Sequence, residues 1–170
     1  MRPAGVAELT AGDPETVALE NARLKADAVV AQLGGRDPVA SAHPGGRDPV
    51  VRVLGVDTVV ALDGELFGKP ADAAGATATL TRLSGRTHRV VSGLVLRPDG
   101  ERVAVTQVTF RTLTADQIGA YVAAGEWRGR AGGYAIQERG AGLVERIEGD
   151  YANVVGLPVA ALLELAPDLL

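Results

Sequence analysis

Between Leu54 and Pro70 the chain reads LGVDTVVALDGELFGKP: an apolar run, a two-residue turn, a shorter run and a Gly-Lys-Pro stop. Asp63-Gly64 constrains this stretch most, because both residues tolerate the positive φ of a type I′ turn and so predict a β-hairpin. The turn sets the register. Leu62 falls opposite Glu65, Val60 opposite Phe67 and Thr58 opposite Lys69, which brings Asp57 and Lys69 within one residue of each other at the open end. Val53 to Leu62 is apolar nearly throughout, as in a strand covered on both faces, yet Asp57 interrupts it. A carboxylate in such a place needs a partner or a task. Asp57 is either a strand-start residue paired with Lys69 or a catalytic or metal-binding group.

The 170 residues, 46% hydrophobic and 22% charged, suffice for one core, so residues 1–170 read as a single domain. A net charge of -4 argues against a nucleic-acid or membrane-surface binder, which needs a basic face. With no Cys and two His, thiolate metal sites, Cys nucleophiles and His-rich metal sites are excluded. No apolar run approaches 18 residues and the N-terminus lacks a signal-peptide core, which together predict a cytoplasmic protein.

Along the chain, Asp13 can cap a helix with Pro14 at its first position and Val17, Ala22, Ala26, Val29, Val30 and Leu33 at helical spacing. Lys25 sits beside that stripe and by itself reads as a surface lysine. Residues 34–49 hold two copies of GGRDPV, spaced eleven residues apart, which read as a duplication in a surface loop around a solvated His43. Asp72 can cap a helix carrying Ala76, Leu80 and Leu83. Arg86, His88 and Arg89 follow it, either as an anion patch or as ordinary charges near a helix end. Val90–Leu96 and Arg102–Leu113 form a second hairpin about Pro98-Asp99-Gly100. Thr114 to Gln117 is a capping box for a helix with Ile118, Tyr121 and Val122 inward, closed by Gly125. Gly129 to Gly142 is glycine-rich around Tyr134, Ala135 and Ile136, and matches no Walker loop. It reads as a tight strand turn, or as a loop that lets backbone approach a ligand while the Gln137 amide reads a base edge. Asp150 to Pro158 leads into a last helix with Leu162, Leu163 and Leu165 for the core.

Four blocks give the chain a specific resemblance. They are Gly55-Val56-Asp57-Thr58-Val59-Val60, Gly68-Lys69-Pro70, Leu83-Ser84-Gly85-Arg86-Thr87-His88, and Ala131 to Gln137 with Gly149 to Pro158. In this order they resemble the Maf family of nucleotide pyrophosphatases. The resemblance implies an α/β fold, an elongated mixed β-sheet flanked by helices with a nucleotide cleft, similar to the inosine-triphosphatase type. It also implies hydrolysis of a nucleoside triphosphate to monophosphate and pyrophosphate. Asp57 then matches the proton acceptor, Lys69 and Lys25 match lysines that meet the phosphates, and Glu8 matches an acid that helps Asp57 hold a divalent metal, Mg or Mn. Thr58 and Gln137 go with dTTP and UTP, and by extension modified pyrimidine nucleotides. A triphosphate of about four negative charges needs such cations, and a carboxylate must orient or deprotonate the attacking water.

Two departures set expectations of their own. Glu138 stands where the family usually has Gly after the Gln. The family's first strand and its Ser-x-Ser-Pro-Arg-Arg loop also have no counterpart, so an N-terminally truncated Maf-like domain is expected. Its hairpin strand would lack one neighbour, and the exposed edge invites a homodimer or aggregation. The second reading, from another class, is a nucleotide-binding or division-regulating protein on the same scaffold without turnover.

Overall fold

The computed structural model describes residues 5–33 and 51–169; the duplicated GGRDPV segment and His43 lie outside the described residues. Helix α1 (Pro14–Gln32) starts where Asp13 accepts from the Thr16 backbone N–H, with Pro14 in the first turn. Strand β1 (Val53–Leu62) turns through Asp63 (φ 52) and Gly64 (φ 79) into β2 (Glu65–Phe67), with Leu62 opposite Glu65 and Val60 opposite Phe67. Pairing stops at that point. The expected Thr58–Lys69 pair does not form, because the Gly68 carbonyl accepts from Gly132 N–H instead and Pro70 has no donor to continue a ladder.

Helix α2 (Ala73–Leu83) is capped by Asp72, and β3 (Thr87–Arg97) and β4 (Gly100–Phe110) form the second hairpin. The Thr114–Gln117 capping box opens α3 (Ala115–Ala124), which closes at Gly125 with φ 80. Residues Ala131–Gly133 and Glu138–Leu143 are 3₁₀ turns rather than a turn between strands. Strand β5 (Val144–Glu148) and the one-turn helix α4 (Tyr151–Val155) have no counterpart in the sequence reading, which assigns no element to 144–148 and has Asp150 to Pro158 only leading into the last helix. That helix, α5 (Val159–Leu165), follows Pro158, and its leucines are only half-buried.

The result is α/β: a five-stranded sheet in the order β2-β1-β3-β4-β5 flanked by helices, with every pairing among the described residues antiparallel. On its other edge β1 pairs with β3 from Val53 to Ala61, so among the described residues β2 covers only Val60 to Leu62 of the first edge. On one face α1 lies so close that a Cβ at Gly55 would stand 2.3 Å from the Ala22 carbonyl oxygen, and one at Gly93 2.4 Å from that of Ala18. On the other face Val60, Val90, Val108 and Phe110 form a core with Leu80 and Leu83 of α2 and Ile118 and Tyr121 of α3. No helix among the described residues is long and apolar enough to cross a membrane.

Candidate active site

Alternation along β1 points Asp57 toward α1 and its neighbour Thr58 toward the opposite face. Asp57 is 8% exposed. Its partner is Lys25 of α1, Nζ to Oδ1 at 2.5 Å, so the sequence-based pairing with Lys69 and the reading of Lys25 as a plain surface lysine both give way. The other carboxylate oxygen accepts from Asn21 Nδ2 at 3.1 Å. Asn21 and Lys25 are one helical turn apart and therefore reach the same point. Lys25 also binds Glu8 at 2.8 Å. Glu8 is held there because Asn21 clamps the next residue, donating to the Leu9 carbonyl and accepting from the Leu9 N–H at 2.7 Å. Burial works against the Lys25 charge, but hydrogen bonds to Asp57 and Glu8 outweigh it and raise its pKa. The same hydrogen bond from Lys25 lowers the pKa of Glu8, with Lys69 adding a smaller attraction.

Two cavities meet at this point. The smaller, about 290 Å³, is lined by Glu8, Asn21, Asp57, Thr58 and Lys69 among others. The larger, about 420 Å³, shares Asp57, Thr58 and Lys69 and adds Lys25, Arg130, Tyr134 and Gln137. All six residues singled out from the sequence thus line one or both. Lys69 and Arg130 take part in no ion pair among the described residues, whereas Lys25 is already neutralised by two carboxylates. Among the described residues that line the two cavities, the positive charge left for an anionic ligand is that of Lys69 and Arg130. Arg130 and Asn21 are the residues that sequence reasoning passed over. Asn21 left a signal, a polar residue four positions before Lys25 on an otherwise apolar face; Arg130 left none beyond lying within the glycine-rich block Gly129 to Gly142.

The remaining cluster divides. Arg86 and Arg89 pair with Asp63 and Glu15 on the surface, the ordinary reading of those charges. His88 is buried, with Nε2 2.8 Å from the Tyr134 hydroxyl and its ring edge-on to Phe110. Desolvation pushes its pKa down to about 4. Beneath the larger cavity, Asn153 of α4 bonds the Val90 and Ala104 carbonyls and the Thr106 hydroxyl, fixing α4 to β3 and β4.

A family model described as Maf-like protein matches residues 1–169. A Deinococcus radiodurans protein named dTTP/UTP pyrophosphatase is 47% identical over 156 residues, covering 90% of this chain and 72% of its own length. Proteins of the same name from Moorella thermoacetica and Thermococcus gammatolerans are 53% and 40% identical. The matches cover 66% and 96% of this chain, and 61% and 81% of those relatives' own lengths.

Proposed function

Because the chain belongs to the family of Maf-like proteins, we infer that it is a nucleoside triphosphate pyrophosphatase, hydrolysing dTTP and UTP to the monophosphate and pyrophosphate within a single domain. The observation that carries this reading is the buried Asp57 carboxylate where the two cavities join, held by Lys25 and Asn21, with Lys69, which makes no ion pair among the described residues, lining both cavities. The names of the relatives supply the substrate class.

Asp57 is fixed at both oxygens, and each keeps a lone pair with which to orient and deprotonate a water attacking the α-phosphorus. Lys69 and Arg130 bind the phosphate chain as charges not spent elsewhere. Gln137, exposed at the rim of the larger cavity, reads the base edge through its amide, and Thr58 meets the base from β1.

The donor set also suits a divalent ion such as Mg²⁺ or Mn²⁺. Glu8 and Asp57 are hard oxygen ligands brought together by the Lys25 ammonium that bridges them, so the ion would take their remaining lone pairs, and such an ion needs only one or two carboxylates when substrate phosphates supply further ligands. Among the described residues no cluster of three or more His, Asp or Glu stands ready to hold a metal, so the ion fits as one brought in with the triphosphate. When bound it would offset the charge developing on the phosphate oxygens.

The test is product analysis with dTTP and UTP in the presence of Mg²⁺. Pyrophosphate should appear in equal amount to the monophosphate, and Asp57→Asn should lower turnover by about 100-fold or more, on the scale of removing one catalytic group. Orthophosphate release, or full activity in the Asn variant, refutes the assignment. Tight binding of the nucleotide with no product from wild type would favour the non-catalytic scaffold reading.

A further inference from the structure

The wall of the larger cavity is apolar around one hydroxyl. Val56, Thr58 and Val60 alternate onto one face of β1, and Val90, Val154 and Val155 extend that surface. Thr58 lies directly opposite Ser92 of β3, and their hydroxyl oxygens are 2.8 Å apart. Ser92 is 0% exposed, and among the described residues Thr58 is its sole side-chain hydrogen-bond partner. Each hydroxyl has one hydrogen to give, so the contact admits two arrangements. If Thr58 donates, the Ser92 hydrogen is left buried with no hydrogen-bond partner among the described residues, which burial penalises. If Ser92 donates, its hydrogen is used, and the Thr58 hydrogen turns into the cavity where water or a ligand takes it.

Building on the pyrophosphatase reading, we propose that Ser92, which touches no substrate, is a positioning residue: it fixes the Thr58 hydroxyl as a donor into the cavity and so selects pyrimidines that present a carbonyl oxygen there over those that present an amino group. Uracil and thymine carry oxygen at C4. Cytosine carries an amino group, itself a donor, and a fixed donor facing it leaves both hydrogens unmatched. The valines around Thr58 suit the flat base, whereas the phosphate chain is drawn to Lys69 and Arg130, so the base and not a phosphate oxygen meets this hydroxyl.

The experiment is kcat/KM for UTP, dTTP and CTP in wild type, Ser92→Ala, Thr58→Val and the double variant. Ser92→Ala should lower the UTP-to-CTP ratio by about tenfold, the scale of one matched hydrogen bond, because the released Thr58 hydroxyl can then accept from the cytosine amino group. On the Thr58→Val background the same change should move the ratio by less than about twofold, since the two residues act as a pair. Ser92→Cys, of similar volume but a weak donor, should fall between and serves if the Ala variant folds poorly. Where turnover is too low, Kd values for α,β-imido UTP and CTP give the same ratio. An unchanged ratio, an equal loss for UTP and CTP, or a wild type that does not discriminate between them overturns the proposal. A shifted ratio accompanied by orthophosphate release would refute the reaction and leave the role of Ser92 standing.

Discussion

One amide serves two purposes at Asn21. It clamps Leu9, which places Glu8, and it holds the Asp57 oxygen that Lys25 does not. Asn21→Ala should cost about 1–3 kcal/mol of stability, the scale of stranding buried polar groups, and should lower kcat more than it raises KM. Thermal denaturation and steady-state kinetics check both halves, and an unaltered kcat would remove Asn21 from the site. Glu138 gives a prediction of the opposite sign. Its φ of 52 lies in the left-handed region, where a side chain is strained and glycine is not. Glu138→Gly should therefore gain about 1 kcal/mol after the entropy cost of glycine, read as a rise in Tm of about 2–4 °C. Asp57 was legible in the sequence because a charge in an apolar strand is conspicuous whatever surrounds it. Its true partner was not, since Lys25 is brought to it by the seating of a helix on the sheet and not by the hairpin register.

Elements whose cause is local were readable, and those made by distant contacts were not. The caps of α1, α2 and α3 and the first hairpin register follow from a few adjacent residues. Strand β5 exists by pairing with β4, and α4 by the bonds of Asn153 to β3 and β4, neither of which leaves a strong periodic signal in five residues. The same distinction explains Gly55 and Gly93, which look like weak points in strands but admit α1 to the sheet at backbone contact. Gly93→Ala would set a methyl 2.4 Å from the Ala18 carbonyl oxygen, forcing the helix outward. A loss of about 1–3 kcal/mol is expected, together with reduced activity, because Asn21 and Lys25 travel with α1. Urea denaturation with turnover measured on the folded fraction separates the two effects, and a fully active folded variant would show that the helix depth does not set the site.

For the whole molecule, His88 makes stability depend on pH in the weakly acidic range. Its pKa is about 4 folded, against about 6.5 for an unfolded histidine, so above the higher value both states are neutral and stability is complete. As pH falls from about 6.5 to 4 the unfolded chain takes up a proton that the folded one refuses. Stability then drops by about 1.4 kcal/mol per pH unit, or about 3 kcal/mol in all. His88→Gln, which does not titrate, should flatten this part of the profile relative to wild type when urea midpoints are compared at pH 7, 5.5 and 4.5; parallel profiles would contradict it. The brevity of β2 has a consequence on the same scale. Its ladder with β1 ends at Val60 and Phe67, and both cavities reach the stretch of β1 just beyond, at Asp57 and Thr58. A ligand therefore occupies ground that a longer hairpin would have claimed for itself. The chamber is defined by where a strand stops, and a change that let β2 run two residues further would zip it shut without touching any residue inside.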